Sequence, residues 1–157
     1  MNDYIREWTG YLAGMIDGEG TVAINQSPPT KNGFKRYLPW VRVCVNQQEP
    51  LEFLQSLFGG NLRRRQTTND YELEWNGTKA QAIIKLVINF LRIKKEQAFL
   101  LLDFPQHETS KRHTEEERKQ RDAIYLKVRE LNAARTTFTF STPHSVGVGE
   151  EKEDEDG

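Results

Sequence analysis

The stretch Leu12–Gly20 (LAGMIDGEG) is the most informative part of the chain. In a helix, Gly10, Gly14 and Asp17 would share one stripe, with Ala13 beside them. A glycine inside a helix costs about 1 kcal/mol relative to alanine, so two on one stripe indicate that another backbone approaches closely there. Tight packing within one domain would account for the glycines as well. It would not account for the two acids, flanked by glycines, in which the stripe ends.

Length and composition indicate one globular domain. The chain has 157 residues, of which 36% are hydrophobic and 29% charged. No apolar run approaches the ~20 residues needed to span a bilayer, so no membrane association is expected. The single cysteine, Cys44, fits a reducing compartment, and the N-terminus lacks the layout of a secretion signal. We therefore expect an intracellular protein, in a bacterial cytoplasm or in an organelle such as a chloroplast or mitochondrion.

Charge is unevenly distributed along the chain. The formal net charge is −1, but the eight residues from Glu150 carry six acids and one lysine. Residues 25–65 carry seven basic residues and two acids. The total therefore conceals a basic middle and an acidic tail. A solvated surface would explain the basic region as well as nucleic acid would, so charge permits nucleic-acid binding without deciding it.

Hydrophobic periodicity predicts alternating helices and strands. Strands 21–25 and 38–46 follow a first helix over 8–17, and strands 61–66 and 70–75 follow a second over 51–58. Three further helices are predicted over 78–91, 95–103 and about 114–132, the last opened by a Thr114–Glu117 capping box. This repeated αββ order predicts a single α+β domain over residues 1–142, with a four-stranded antiparallel sheet and helices on one face. Residues 143–157 are expected to form a disordered acidic tail.

One face of the predicted sheet would be left uncovered by helices. Its positions carry Arg, Asn, Thr and acids, which can read base edges in the major groove of DNA: Arg at guanine, Asn at adenine, Asp or Glu at the cytosine amino group. A half-buried sheet normally turns a polar face to water, so the pattern alone favours the plainer interpretation. The candidate DNA contacts are Thr21, Ala23, Asn25, Ser27, Lys31, Asn32, Trp40, Arg42, Cys44, Asn46, Arg63, Arg65, Asp70 and Glu72.

The segment 11–20 (YLAGMIDGEG) closely resembles the motif that names the LAGLIDADG homing endonucleases. Met15 and Gly18 are usual substitutions in that motif, and Glu19 in place of Asp is permitted. The resemblance extends over about residues 8–103 and includes the αββαββ order. It implies the αββαββα homing-endonuclease fold, whose four-stranded antiparallel sheet binds double-stranded DNA. It also implies an intron-homing activity, site-specific hydrolysis of both DNA strands.

Only one copy of the motif is present, and nothing after Gly60 fits a second. In the family two such helices pack side by side, so the resemblance implies a homodimer that reads a long pseudo-palindromic site. The residues expected at the dimer interface are Gly10, Ala13, Gly14 and Asp17. Of these, Asp17 is expected to cap or tie the helix pair rather than to bind metal.

The resemblance also implies a metal-dependent mechanism. Mg²⁺ or another divalent cation would be held by the Glu19 carboxylate and the Gly18 carbonyl, because hard cations prefer oxygen ligands. Gln47 matches the polar residue that holds a metal-bound water, and Lys94 matches a lysine near the scissile phosphate. Taken alone, a glutamine after a strand and a lysine at a helix start are usually solvent contacts. The expected catalytic residues are therefore Glu19, Gln47 and Lys94.

The main alternative is a binding protein on the same scaffold. It would be either an intron RNA maturase, non-cleaving or dual-function, or a transcription regulator that has lost cleavage. The presence of Glu19, Gln47 and Lys94 favours cleavage, but it does not exclude maturase activity beside it.

Overall fold

The structure is a computed structural model that describes residues 1–106 and 113–136. The predicted tail, residues 143–157, lies outside the described residues. The elements are α1 Asp3–Glu19, β1 Gly20–Ser27, β2 Arg36–Val45, α2 Gln48–Phe58, β3 Asn61–Arg64, β4 Tyr71–Asn76, α3 Thr78–Val87, α4 Lys95–Asp103 and α5 Glu115–Thr136. This order confirms the predicted α+β class.

Helix α1 is longer than its apolar periodicity predicted. It begins at Asp3 rather than near Trp8, because the Asn2 side chain accepts a hydrogen bond from the Ile5 N–H at 2.8 Å and so caps the first turn. It ends against Gly20. A Cβ at Gly20 would lie 2.6 Å from the Ile16 oxygen and 2.9 Å from the Arg42 oxygen, so only glycine fits where α1 meets the sheet.

The four strands form one antiparallel sheet in the order β1-β2-β4-β3. Alternate side chains point to opposite faces, and the inward set includes the buried residues Val22, Val41, Leu73 and Trp75. The Trp75 indole N–H donates to the Phe58 carbonyl at 3.2 Å and so joins β4 to the end of α2. The predicted two-sided sheet, apolar inside and polar outside, is confirmed.

The helices cover the inner face of the sheet. Helix α3 ends at Val87 rather than near Leu91, and an irregular turn over residues 88–94 leads into α4. Helix α4 spans its predicted residues, and the Gln81 amide donates to the Leu101 and Phe104 carbonyls at 2.8 and 2.9 Å where α4 ends.

Helix α5 opens on the predicted capping box. The Thr114 N–H donates to the Glu117 carboxylate at 3.0 Å, and the Glu117 N–H donates to the Thr114 hydroxyl at 3.3 Å. Further along α5, the Asn132 side-chain amide donates to the Val22 carbonyl at 3.0 Å and fastens the helix to β1. Within residues 1–106 and 113–136, none of the helices combines the length and apolar character that a bilayer crossing requires.

Candidate active site and nucleic-acid interface

The C-terminal end of α1 presents a carboxylate at the surface. Gly18 and Glu19 are exposed, and the next two residues pair with β2, Gly20 opposite Val43 and Thr21 opposite Arg42. The exposed acid therefore lies at the junction of the helix and the sheet. A Cβ at Gly18 would have no atom within 4 Å, so the glycine leaves this side of the helix end open.

The three glycines of α1 differ in their surroundings. A Cβ added to Gly14 or Gly18 would have no atom within 4 Å, so both face open space in the single chain. A Cβ at Gly10 would lie 3.7 Å from the Phe90 ring, an ordinary contact within the same chain. Ala13, expected at the dimer interface, is fully buried in the core of its own chain and cannot form part of a contact surface. The open stripe of α1 therefore runs through Gly14 and Gly18.

The side chains of Asp17 and Lys94 each bind the backbone of the segment that carries the other. The Asp17 carboxylate accepts from the N–H groups of Arg92 (2.7 Å), Ile93 (3.2 Å) and Lys94 (2.9 Å), all in the turn before α4. The Lys94 ammonium donates to the carbonyls of Ile16 and Asp17, both at 2.7 Å. Asp17 therefore ties a turn of its own chain to the end of α1. Its expected contact with a second motif helix stays a prediction.

The residues near the end of α1 determine whether a divalent cation fits this site. Gln47 is exposed directly after β2, and its side chain does not cap α2. Among the described residues, no group of three or more His, Cys, Asp or Glu side chains could hold a metal ion. Mg²⁺ is commonly bound by one or two carboxylates together with substrate phosphates. The exposed Glu19 carboxylate, next to the exposed Gly18 with its backbone oxygen, fits that sparse donor set.

The outer face of the sheet is polar and unevenly exposed. Exposed and partly exposed side chains occur both on the edge strands and next to the central strands. The exposed candidates are Asn25, Ser27, Lys31, Asn32, Asn46 and Arg63. The partly exposed candidates are Thr21, Ala23, Trp40, Arg42, Cys44, Arg65 and Asp70.

Glu72 differs from the other candidates and corrects the prediction that it contacts DNA. Its side chain is only 2% exposed. The carboxylate pairs with Arg42 at 3.3 Å, with Arg65 at 3.8 Å, and most closely with the Arg63 guanidinium. This hydrogen bond to Glu72 raises the pKa of Arg63 above its ordinary value. A carboxylate covered by three cations cannot reach a cytosine amino group.

Two features of the structure were not predicted from the sequence. Glu74 was not among the candidate residues, although its carboxylate pairs with Arg63 at 3.3 Å and accepts from the Trp40 indole at 3.0 Å. The alternation of opposite charges on neighbouring strands is the signal that would have revealed these pairs, once the strand register was known.

The second missed feature is a cleft of about 920 Å³ between the β1–β2 loop and the start of α5. Arg118 lies over the Phe34 ring, 4.5 Å from its centroid, and Arg121 lies deeper, 4.8 Å from the centroid of Phe104. Burial lowers the pKa of Arg121. The charged residues of the cleft come from elements about 80 residues apart, so no local pattern marks it.

A model of the LAGLIDADG endonuclease family matches residues 12–102, which is more than half of the chain. The chain belongs to the LAGLIDADG endonuclease family. The matched region begins in the second half of α1, with the motif, and ends in α4. No curated protein sequence matches the chain.

Solved structures of homing endonucleases share the fold. I-CvuI, in complex with a DNA target in the presence of Mg and with the DNA not cleaved, has a TM-score of 0.62 and 17% identity over 92% of this chain and 89% of that one. The archaeal intron-encoded I-Vdi141I, complexed with DNA, has a TM-score of 0.68 and 17% identity over 80% and 84%. I-TnaI has a TM-score of 0.53 and 22% identity over 82% and 95%. This LAGLIDADG protein therefore has the homing-endonuclease fold, as predicted.

Proposed function

We propose that this LAGLIDADG protein is a site-specific, divalent-metal-dependent endonuclease that cuts double-stranded DNA as a homodimer. The observation that carries the proposal is the end of α1. There the exposed Gly18 and Glu19 follow the open glycine position Gly14 and adjoin the polar outer face of the sheet. An exposed carboxylate that suits a divalent cation thus adjoins a polar sheet face, and this arrangement supports the proposal.

Dimerisation through α1 would complete the site. Gly14 and Gly18 have room for an approaching backbone, and a two-fold axis along this stripe would bring the two Glu19 carboxylates together. Two unscreened carboxylates would repel each other, and a shared cation removes that repulsion. With one motif in each chain, two identical halves would read a nearly palindromic site.

Four residues of the chain would have separate roles in the reaction. Glu19 and the Gly18 carbonyl would hold Mg²⁺, which when bound supplies Lewis-acid stabilisation of charge on the phosphate and lowers the pKa of water. Gln47, exposed at the end of β2, would orient the attacking water through its amide. Lys94 would set its positive charge beside the last turn of α1, where it favours charge developing on the phosphate.

The outer face of the sheet would supply recognition. Its exposed and half-exposed side chains include guanidinium, amide and hydroxyl groups, and the loop between β1 and β2 adds Lys31 and Asn32. Solved structures with this fold include homing endonucleases complexed with DNA, among them I-CvuI with Mg present. That fold-level likeness supports a duplex as the substrate.

The decisive test is Glu19→Gln in the full chain. A cleavage selection from a randomised duplex library in Mg²⁺ would first define the target of the unaltered protein. We expect Glu19→Gln to keep its affinity for that target, because the carboxylate does not carry recognition, and to lose cleavage. Glu116→Gln removes an exposed acid from α5, away from the site, and should cut normally.

Other results would overturn parts of the proposal. Cleavage by Glu19→Gln at the unaltered rate would remove Glu19 from the mechanism. A protein that cuts no sequence in the library but binds its own intron RNA tightly would instead be a maturase. A monomer on DNA, measured by analytical ultracentrifugation, would contradict the shared site.

A further inference from the structure

We propose that Glu72 is a positioning residue for DNA recognition: its buried carboxylate holds Arg42, Arg63 and Arg65 together as one unit that reads guanine on the outer face of the sheet. The inference rests on the proposed function, since it requires that this face meet a DNA duplex. It gives Glu72 a different role from the direct base contact that its strand position predicted.

The three arginines converge on one carboxylate from two neighbouring strands. Arg42 comes from β2, 3.3 Å from one Glu72 oxygen, and Arg65 follows β3, 3.8 Å from the same oxygen. Arg63 on β3 takes the other oxygen through its Nε. The β2–β4–β3 order makes this possible, because β4 carries Glu72 between the two strands that bring the arginines.

The Glu72 side chain is far less exposed than the three arginine side chains that surround it. The Glu72 side chain is 2% exposed, whereas Arg42, Arg65 and Arg63 are 24%, 38% and 58% exposed. The acid therefore lies beneath the guanidinium groups, which occupy the surface that a base edge would meet. A buried acid in this position can act on DNA only through the arginines that cover it.

A second set of contacts restricts the same guanidinium groups. Arg42 lies over the Trp40 ring, 4.4 Å from its centroid, and the Trp40 indole donates to Glu74 at 3.0 Å. Glu74 also pairs with Arg63 at 3.3 Å. Three arginines and two carboxylates leave the cluster with a net positive charge, as contact with a duplex requires.

Such a cluster favours guanine for a geometric reason. An arginine makes paired hydrogen bonds to guanine O6 and N7 only when its guanidinium plane is aligned with the base edge. A free arginine loses side-chain conformational entropy when it is aligned with the base. An arginine already held by an ion pair and a stacked ring loses less of this entropy on binding. Contacts to phosphates need no such alignment, so Glu72 should affect base preference more than general affinity.

The experiment measures the base preference and the general DNA affinity of Glu72→Gln. This substitution keeps the shape of the side chain and removes its negative charge. Competition binding against single-base variants of the selected target gives the preference, and binding to an unrelated duplex gives the general affinity. At the target positions where guanine is preferred, we expect that preference to fall about tenfold, because one paired arginine contact is worth that order of discrimination. Binding to the unrelated duplex should be unchanged or tighter, because one negative charge has gone from the DNA-facing surface.

Glu116→Gln, with the same charge removed from α5, is the matched control and should leave the base profile unaltered. Arg42→Lys keeps the charge but cannot make the paired contact, so it tests the same inference if Glu72→Gln does not fold. Its guanine preference should fall as well. If the variant that folds keeps the unaltered base profile, the inference is wrong even though the protein binds DNA. If the unaltered protein binds no duplex at all, the proposed function itself fails.

Discussion

Asp17 and Lys94 cap each other's segments across 77 positions of the chain. The Asp17 carboxylate accepts three N–H groups in the turn before α4, and the Lys94 ammonium donates to two carbonyls in the last turn of α1, all within 3.2 Å. Carboxylates favour helix N-termini and cations favour helix C-termini, so both charges stabilise the ends they meet. These five hydrogen bonds, which we call the Asp17–Lys94 clasp, fix the end of α1 that carries Glu19 to the turn before α4.

The first prediction concerns the acid of this clasp. Asp17→Asn should lower the free energy of unfolding by about 1–3 kcal/mol, because hydrogen bonds to a charged acceptor are replaced by weaker ones and one oxygen is lost. Urea unfolding followed by circular dichroism measures the change. Asp103→Asn, an exposed acid at the end of α4, is the matched control. An unfolding free energy equal to that of the unaltered chain would mean that the clasp contributes nothing to stability.

The second prediction concerns the structural role of Lys94. Lys94→Met should lower the unfolding free energy by about 1–3 kcal/mol, because the Ile16 and Asp17 carbonyls lose a charged donor. Its effect should overlap with that of Asp17→Asn, so the double variant should lose less than the two single losses together. Full additivity would contradict a shared clasp. Lys79→Met, at an exposed lysine of α3, controls for loss of charge.

The third prediction contrasts two glycines of the motif. Gly20→Ala should lower the free energy of unfolding by about 2 kcal/mol or more. The reason is that its Cβ would overlap the Ile16 and Arg42 backbones, which cannot move apart without distorting the helix and the sheet. Gly14→Ala has space in the single chain and should stabilise the monomer by up to about 1 kcal/mol through helix propensity. In the proposed dimer the same methyl group would meet the partner's backbone.

Sedimentation and unfolding of the two variants check this contrast. Gly14→Ala should form a folded protein with weakened self-association, and Gly20→Ala should unfold at lower urea. If Gly14→Ala associates as tightly as the unaltered protein, the open stripe of α1 is not the dimer contact.

The fourth prediction is a pH dependence at Tyr37. Burial and its hydrogen bond to the Asp122 carboxylate raise the pKa of Tyr37 well above its ordinary value. The neutral hydroxyl is therefore favoured in the folded state, and the resulting stability is fully present below about pH 10. Above that pH the unfolded chain gains stability by ionising while the folded chain does not, so folding stability falls as the pH rises.

Tyr37→Phe should flatten this part of the stability curve. Melting temperatures from pH 8 to 11 should converge between the variant and the unaltered protein as the pH increases, because only the latter loses the Tyr37 contribution. Tyr4→Phe removes an exposed hydroxyl and serves as the control. Parallel curves across the whole range would contradict the assignment.

Much of the fold follows from local patterns. The Thr114–Glu117 capping box, the bounds of α4 and the inward faces of the strands were all predicted from spacings of two to four residues, and the structure confirms them. These features depend on neighbours along the chain, so sequence alone determines them. The glycine-and-acid motif at the end of α1 belongs with them, because its residue types are informative before any contact is known.

What the tertiary structure decided is the environment of individual groups. Periodicity placed Glu72 on the outer face, but only the pairing of β4 with β2 and β3 shows three arginines covering it. Spacing placed Ala13 beside the glycine stripe, but only the packing of α1 shows that it is buried in its own subunit. A position in an element has a local cause, whereas burial and charge pairing depend on segments that the chain brings together from far apart. The sequence therefore determined which residue types stand at the candidate site, and the tertiary structure decided which of them face outward.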